Sequence, residues 1–152
     1  MPSLENKVSF ITGAGSGIGL APALKMGAEG STVICSDINE QSAQAAATRI
    51  EDAGGKASVN ALDTSDEAAV KEALSKTVKD FGRLDVLYNN AGVARQGWGL
   101  TNDVNLAGVY YGLMHACPIM AEQGGGSIVN TASAAGLVAI YAPGADFMKN
   151  PA

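Results

Sequence analysis

Five short runs of apolar and β-branched residues alternate with four longer segments of helical periodicity, and this order restricts the fold more than any other feature of the chain. Each run has the length of a strand and is bounded by turn residues. Each longer segment has the length that a crossover between parallel strands requires. We therefore predict an α/β fold, with a doubly wound parallel sheet of about five strands and helices on both faces. The predicted strands are VSFIT (8–12), STVICS (31–36), KASVNAL (56–62), LDVLYN (84–89) and SIVNTA (127–132), and the predicted helices are 18–29, 39–53, 66–81 and 102–122.

Composition is consistent with one globular domain over residues 1–152. The chain is 47% hydrophobic and 16% charged, which is apolar enough to bury a substantial core. Its net charge of −5 argues against nucleic acid or an anionic membrane as a partner, because both require a surplus of Lys and Arg. Neither a signal peptide nor an apolar run of membrane-spanning length is present in these residues. We expect a soluble, cytoplasmic protein.

The residues that most often bind metals are few and scattered. Cys35 and Cys117 lie far apart in apolar segments, so we predict two buried free thiols, with no disulfide framework and no metal site. His115 is the single histidine, and the sequence places no carboxylate beside it to orient a general base. We expect a structural or surface role for it.

A glycine-rich stretch, TGAGSGIG (residues 12–19), follows the first predicted strand and opens the first predicted helix. This context is typical of a Rossmann-like dinucleotide site. Gly13 permits the sharp turn, Gly17 lets a pyrophosphate approach the backbone, and Gly19 lets the helix pack close to the sheet. Ser16 and Ile18, which flank Gly17, complete the predicted cofactor-binding turn.

Asp37 ends the second predicted strand, eighteen residues beyond Gly19. A carboxylate there can accept hydrogen bonds from both hydroxyls of an adenosine ribose, and it would repel a 2′-phosphate. No Arg or Lys lies in residues 12–19 or 38–41 to offset that repulsion. We therefore predict NAD as the cofactor, with Asp37 and the adjacent Ile38 in its site. The alternative for Asp37 is a turn residue that caps a helix.

Asp63, after the third strand, would either face the adenine amino group or begin the next turn.

Five ordered motifs make the chain resemble the short-chain dehydrogenase/reductase family over residues 7 to about 140. They are TGAGSGIG, Asp63, NNAG (89–92), VNLAGVYYG (104–112) and GGGSIVNTASAAG (124–136).

The resemblance implies roles for residues that the glycine turn does not contain. Asn90, Ala91 and Gly92 match residues that support the central strand and line the adenosine side of the cofactor. Asn105 matches the catalytic Asn, which holds a helix irregularity and a proton-relay water. Ser133 matches the catalytic Ser that polarises the substrate oxygen. Its place just past a strand end agrees with where open α/β sheets keep their active sites, and a plain turn serine is the alternative.

The chain departs from the family after Ser133. The family continues with YxxxK, in which Tyr is the general acid/base and Lys lowers its pKa. Here Tyr141 is followed four residues later by Ala145, and Lys149 lies eight residues after Tyr141. The usual tyrosine and lysine positions hold Asp146 and Asn150. The remaining tyrosines precede Ser133 and are predicted to pack; they are Tyr88, Tyr110 and Tyr111.

Two further departures concern length. The segment VARQGWGLTNDV (93–104) is shorter than the family's, and the family continues beyond residue 152 with more strands, helices and a substrate lid. We therefore expect a sheet that is C-terminally incomplete relative to the family, with its fifth strand as an unpaired edge, and an association of copies into a homo-oligomer.

The resemblance implies an NAD-dependent oxidoreductase that transfers hydride between a small alcohol or carbonyl substrate and nicotinamide. Because YxxxK is missing, we expect very slow turnover by this chain alone. Two alternatives are a non-catalytic NAD-binding or interaction module, and the N-terminal part of a longer dehydrogenase.

Overall fold

A computed structural model describes residues 3–94 and 97–134. Strands and helices alternate along this part of the chain, as the sequence predicts. The strands are β1 (Val8–Thr12), β2 (Thr32–Asp37), β3 (Lys56–Ala61), β4 (Val86–Asn89) and β5 (Ser127–Asn130). The helices are α1 (Gly17–Ala28), α2 (Glu40–Asp52), α3 (Glu67–Phe81), α4 (Trp98–Asn102) and α5 (Gly108–Glu122), and a single π-helical turn (Asp103–Ala107) joins α4 to α5.

The five strands form one parallel sheet in the order β3-β2-β1-β4-β5. The chain moves outward from β1 to β3, crosses back to β4 and then continues to β5. The order of strands therefore reverses between β1 and β4, and in open parallel sheets the crevice at such a reversal, at the carboxyl ends of the strands, is where ligands bind.

Helices cover both faces of the sheet, so the predicted doubly wound architecture is confirmed. Successive side chains of a strand point to opposite faces. Phe10 and Ile34 pack with residues of α3 and α5, whereas Ile11 and Val33 pack with residues of α1 and α2 on the other face. All four side chains are almost fully buried, and this continuous burial on two faces is typical of central parallel strands.

The carboxylate of Asp85 fixes the amino-terminal end of the sheet, opposite the crevice. It accepts hydrogen bonds from the Val8 N–H (2.9 Å), from Lys7 Nζ (3.2 Å) and from two nitrogens of Arg83 (2.5 and 2.6 Å). Burial disfavours the charged form of this carboxylate. The hydrogen bonds from Arg83, Val8 and Lys7 outweigh that penalty and hold the pKa of the carboxyl below its ordinary value.

The fourth predicted helix differs from the structure in its beginning and its continuity. It starts at Trp98 rather than near residue 102, and the π-helical turn interrupts it. A single π turn inside an α-helix commonly marks a functional site. Asn105 lies within this turn, so the helix irregularity that the family resemblance implied at Asn105 is present.

Two of the isolated polar residues have surroundings that the sequence did not indicate. Cys35 is buried as predicted, and burial raises its pKa to about 11. Cys117 is exposed on α5, so the prediction of a buried thiol is wrong for Cys117. His115 Nε2 lies 3.5 Å from a carboxylate oxygen of Glu67. The carboxylate comes from α3, which packs against α5, and sequence proximity could not reveal it.

β5 lies at one edge of the sheet and pairs with β4 in register from Ser127 to Asn130. Within the described residues it pairs with β4 alone. A side-chain hydrogen bond from Asn89 Nδ2 to Asn130 Oδ1 (2.9 Å) joins the carboxyl ends of the two strands. None of the helices in the described part of the chain is long and apolar enough to span a membrane.

Candidate functional site

A cavity of about 630 Å³ opens in the crevice at the carboxyl ends of the strands. All the residues predicted to bind the cofactor line it, with the exception of Gly19. They are Gly13, Ser16, Gly17, Ile18, Asp37, Ile38, Asp63, Asn90, Ala91 and Gly92. Four separate segments of the sequence therefore converge on one space.

The turn between β1 and α1 requires glycine at two positions that border this cavity. Gly13 has a φ of 65° and Gly17 a φ of 50°, in the left-handed region that disfavours residues with a side chain. A Cβ added at Gly17 would meet no described atom within 4 Å. The space in front of Gly17 is therefore open, and a ligand can approach the backbone there.

The amino terminus of α1 begins at this open position and lacks the caps that the next two helices have. Asn39 and Asp66 each accept a backbone N–H of their own helix, α2 and α3, at 3.0 and 3.1 Å. The N-cap residue of α1, Ser16, makes no such bond, and the first turn of α1 contains no acidic residue. Because the first N–H groups of a helix have no intrahelical acceptor and carry partial positive charge, this end of α1 suits an anion such as a pyrophosphate.

Gly19 lies behind the cavity, where α1 packs on the glycine turn. A Cβ added there would clash with the carbonyl oxygen of Gly13 and lie 2.5 Å from Asn90 Nδ2. This agrees with the packing role predicted for Gly19, as distinct from contact with a ligand.

Asp37 reaches the cavity from the end of β2, and backbone donors hold its carboxylate on both sides. The Gly15 N–H donates to Oδ2 and the Asn39 N–H donates to Oδ1, both at 3.0 Å. The bond from Asn39 is that of a turn, so the alternative role of Asp37 as a turn residue is compatible with a place in the cavity wall. Each oxygen retains a further acceptor position for a ligand hydroxyl.

Asp63 also combines the two roles that its sequence left open. Its Oδ1 accepts the backbone N–H of Ser65 at 2.9 Å and the Ser65 hydroxyl at 2.6 Å, which is the geometry of a turn residue. Asp63 lines the cavity as well.

The hydroxyl of Thr12 joins the ends of β1 and β4, a role that the sequence analysis did not assign. Its oxygen accepts the backbone N–H groups of Asn90 (2.9 Å) and Ala91 (3.0 Å). In return, Asn90 Nδ2 donates to the carbonyl oxygens of Thr12 (3.1 Å) and Gly13 (3.4 Å). These bonds lock the glycine turn against the NNAG segment across the point where the strand order reverses.

Thr131 extends this network to β5 and lines the cavity. Its Oγ1 lies 3.0 Å from Asn90 Oδ1 and 3.2 Å from the Tyr88 hydroxyl. The amide oxygen of Asn90 can only accept, so the single hydroxyl proton of Thr131 goes to it, and the Tyr88 hydroxyl then donates to Thr131. Tyr88 was predicted to pack, and it does pack against the α1 and α2 face, but it also orients a cavity residue.

Asn105, the predicted catalytic asparagine, uses its side chain to hold the segment after NNAG. Its Nδ2 donates to the carbonyl oxygen of Val93, and its Oδ1 accepts the Val93 N–H, both at 2.8 Å. This pairing ties the π turn to the cavity wall, because Val93 lines the cavity.

Ser133, the predicted catalytic serine, is exposed and lies three residues beyond the end of β5. This position is at the carboxyl edge of the sheet, on the same side as the cavity. Tyr141, Asp146, Lys149 and Asn150 lie outside the described residues.

Further cavity residues were not predicted from the sequence. Leu62 and Thr64 flank Asp63, and Val93 and Ala94 continue the NNAG segment. The sequence could have indicated them, because each one is adjacent to a residue or segment that was predicted to line the site. Val104 belongs to the π-helical turn and precedes the predicted catalytic Asn105, so the same signal applied to it.

Comparison with known proteins gives a consistent result over most of the chain. A sequence profile described as short chain dehydrogenase matches residues 7–144. The cyclohexanol dehydrogenase of Acinetobacter sp. (strain SE19) is 42% identical over 146 residues, an alignment that covers 90% of this chain and 58% of that protein.

Two solved structures share the fold and contain different nicotinamide cofactors. The structure of NAD⁺-bound xylitol dehydrogenase superposes with a TM-score of 0.85 and 33% identity, covering 91% of this chain and 57% of that one. A metagenomic short-chain oxidoreductase in complex with NADP superposes with a TM-score of 0.83 and 34% identity, covering 86% of this chain and 64% of that one. The chain therefore spans less than two thirds of the length of each of these similar proteins.

Proposed function

This chain belongs to the short-chain dehydrogenase family, and we propose that its cavity binds NAD as part of an oxidoreductase acting on a small alcohol or carbonyl compound. The observation that carries the proposal is the amino terminus of α1. It lacks a side-chain cap, it opens onto the cavity at Gly17, and a Cβ added at Gly17 would meet no described atom within 4 Å. An anion in contact with the backbone fits this combination.

In the proposed complex, each side of the cavity recognises a different part of the cofactor. The N–H groups at the start of α1 bind the pyrophosphate, and Asp37 accepts hydrogen bonds from the adenosine ribose. Ile18 and Ile38 are 68% and 73% exposed and line the cavity, so they offer apolar surface to the adenine ring. The bound nicotinamide supplies the hydride chemistry.

The preference for NAD over NADP is proposed from the charge of Asp37. The related structures contain NAD⁺ in one case and NADP in the other, so the family alone does not decide between them. A carboxylate at the ribose site repels a 2′-phosphate, and residues 38–41 contain no Arg or Lys to offset that repulsion.

Ser133 and Asn105 would serve the substrate side of the reaction. A serine hydroxyl can donate a hydrogen bond to the substrate oxygen and so polarise it. Asn105 holds Val93 in the cavity wall and so maintains the shape of the site. The sequence contains no YxxxK to supply proton transfer.

Two other functions are supported by particular observations. The chain spans 58% of the length of the cyclohexanol dehydrogenase it resembles, which favours the N-terminal part of a longer dehydrogenase. The missing YxxxK favours a cofactor-binding module without catalysis. The mass of the protein purified from its natural source separates these two, because a longer enzyme would exceed 15.4 kDa.

A homo-oligomer in the cytoplasm is proposed as the working form. Leu106, in the π-helical turn, and Tyr110, in the first turn of α5, are 66% and 59% exposed. They lie four residues apart on adjoining turns of the same helical segment. Exposed apolar side chains that cluster in this way favour association. Light scattering over a range of concentrations tests this, and a monomer throughout would contradict it.

Calorimetric titration with NADH and NADPH tests the proposed function. We expect NADH to bind and NADPH to bind more weakly. Equal or tighter binding of NADPH would contradict the role assigned to Asp37, and the absence of binding by either cofactor would contradict the proposed function as a whole.

A further inference from the structure

Gly15 lies between Asp37 and the first turn of α2, in a space too small for a side chain. A Cβ added at Gly15 would lie 2.5 Å from Ser42 Cβ and 2.8 Å from Asp37 Oδ2. Gly15 is not among the glycines with a positive φ, so its backbone conformation does not demand glycine. The lack of a side chain is therefore needed for the close approach of Ser42 and Asp37.

The same approach restrains the carboxylate of Asp37. The Gly15 N–H holds Oδ2 and the Asn39 N–H holds Oδ1, each at 3.0 Å. Rotation of the carboxylate away from the cavity would break both hydrogen bonds, and hydrogen bonds to charged groups are among the stronger ones. A cofactor with a 2′-phosphate therefore meets a negatively charged carboxylate whose position is restrained by two hydrogen bonds.

We propose that Gly15 is a positioning residue for cofactor selectivity: it holds Asp37 against α2, so that the cavity accepts an adenosine ribose with two free hydroxyls and rejects a 2′-phosphorylated one. The inference rests on the proposed function, since it concerns the same cavity. It goes further in assigning the selectivity to the restrained position of the carboxylate as well as to its charge.

Gly15→Ala is the first test, with Gly99→Ala as the matched control. A Cβ added at Gly99 would meet no described atom within 4 Å, and Gly99 likewise is not among the glycines with a positive φ. Gly15→Ala should push the carboxylate out of place and weaken NADH binding about tenfold, while NADPH binding stays the same or becomes tighter because the displaced charge repels the 2′-phosphate less. Gly99→Ala should leave both affinities unchanged. A purely structural role for Gly15 predicts instead that both cofactors weaken equally.

A cycle with 2′-deoxy-NAD⁺ identifies the contact that is lost. The unaltered protein should bind NAD⁺ more tightly than 2′-deoxy-NAD⁺, because Asp37 accepts a bond from the 2′-hydroxyl. In Gly15→Ala this difference should disappear, which shows that the substitution acts through that hydroxyl. If the difference is the same in both proteins, Gly15 does not position Asp37.

The double variant Gly15→Ala/Ser42→Gly tests the cause of the displacement. Removing the Ser42 Cβ relieves the 2.5 Å contact, while the backbone N–H of residue 42 can still donate to the Asn39 side chain that caps α2. We expect NADH affinity to recover at least threefold relative to Gly15→Ala. No recovery would contradict the proposed contact with α2.

Asp37→Glu distinguishes the effect of the carboxylate's position from the effect of its charge. It also provides the test if Gly15→Ala fails to fold. The longer side chain keeps the negative charge but moves the carboxylate away from the two N–H groups, so the preference for NADH over NADPH should narrow about tenfold. An unchanged preference would overturn the inference and leave the proposed function intact. Failure of the unaltered protein to bind NADH or NADPH would overturn both.

Discussion

Replacing Gly19 by alanine tests the packing of α1 on the glycine turn, on which the shape of the cavity depends. The new Cβ would lie 2.5 Å from Asn90 Nδ2 and still closer to the carbonyl oxygen of Gly13. The oxygen would lie at 2.1 Å, and real Cβ atoms essentially never approach another heavy atom within 3.0 Å, so α1 and the turn must separate by roughly 0.9 Å. Neither neighbour is the far end of a flexible side chain, because the oxygen belongs to the backbone and the amide is fixed by hydrogen bonds.

The expected cost follows from this forced separation. Overpacking of a close contact typically destabilises a protein by about 1–3 kcal/mol. In a chain of this size each kcal/mol lowers Tm by about 2–4 °C. The separation also moves the first turn of α1, which borders the cavity; the loss of one hydrogen bond to the cofactor there, about 1 kcal/mol, would weaken NADH binding roughly fivefold.

Thermal unfolding followed by circular dichroism, together with calorimetric titration of NADH, measures both effects. Gly99→Ala is the control, because its added Cβ meets no described atom within 4 Å, and we expect its Tm to be equal or higher. If Gly19→Ala has the Tm and the NADH affinity of the unaltered protein, α1 does not pack on the glycine turn in the way described.

Three further predictions concern binding, acid stability and catalysis. Gly17→Val should abolish measurable binding of NADH and NADPH in a folded protein, since the side chain would occupy the open space in front of the backbone, and unchanged affinity in a calorimeter would remove Gly17 from the site. Asp85→Asn should lower the free energy of unfolding at pH 7 and make that free energy fall less steeply toward pH 3. The reason is that the lowered pKa of Asp85 stabilises the fold above the ordinary Asp pKa of about 3.9, and this contribution is lost as the pH falls below that value. Urea unfolding as a function of pH measures the difference, and parallel profiles would contradict it. Turnover of secondary alcohols by this chain should be about 10²–10⁴-fold slower than that of an enzyme with a positioned proton donor, and fast NAD⁺ reduction that is lost in Tyr141→Phe would refute this.

The central strands β1, β2 and β4 were predictable because burial on both faces gives each one a short, mainly apolar run. β1 coincides with its predicted span, and β2 and β3 differ by one residue at one or both ends. The helices with amphipathic patterns, α2 and α3, are similarly close to their predicted limits. Local sequence determines these elements, so little information from the rest of the chain was needed.

The interruption between α4 and α5 was not predictable from periodicity. The π turn is joined to a distant segment by the two hydrogen bonds between Asn105 and Val93, which are separated by twelve residues. A helix-propensity pattern carries no signal of such a bond. Only the resemblance to a family indicated an irregularity at Asn105.

The surroundings of individual side chains were also not predictable, because they depend on contacts between helices and strands that are distant in the sequence. Glu67 reaches His115 because α3 packs beside α5, and Cys117 is exposed because its side of α5 does not face the sheet. The hydroxyls of Thr12 and Thr131 meet Asn90 from two different strands. The sequence identified most of the cavity residues through the glycine turn and the family motifs, but it could not identify the hydrogen bonds that hold them in place.

The central claim is that the cavity at the carboxyl ends of β1 and β4 binds the cofactor, and an amide ¹⁵N–¹H NMR titration with NADH tests it most directly. We predict that the signals of Gly13, Gly17 and Ile18, which line the cavity, shift in a saturable manner. Gly54 and Gly55, at the opposite end of the sheet, provide the control within the same molecule and should not shift. Shifts confined to Gly54 and Gly55, or no saturable shift at Gly17 and Ile18, would contradict the account.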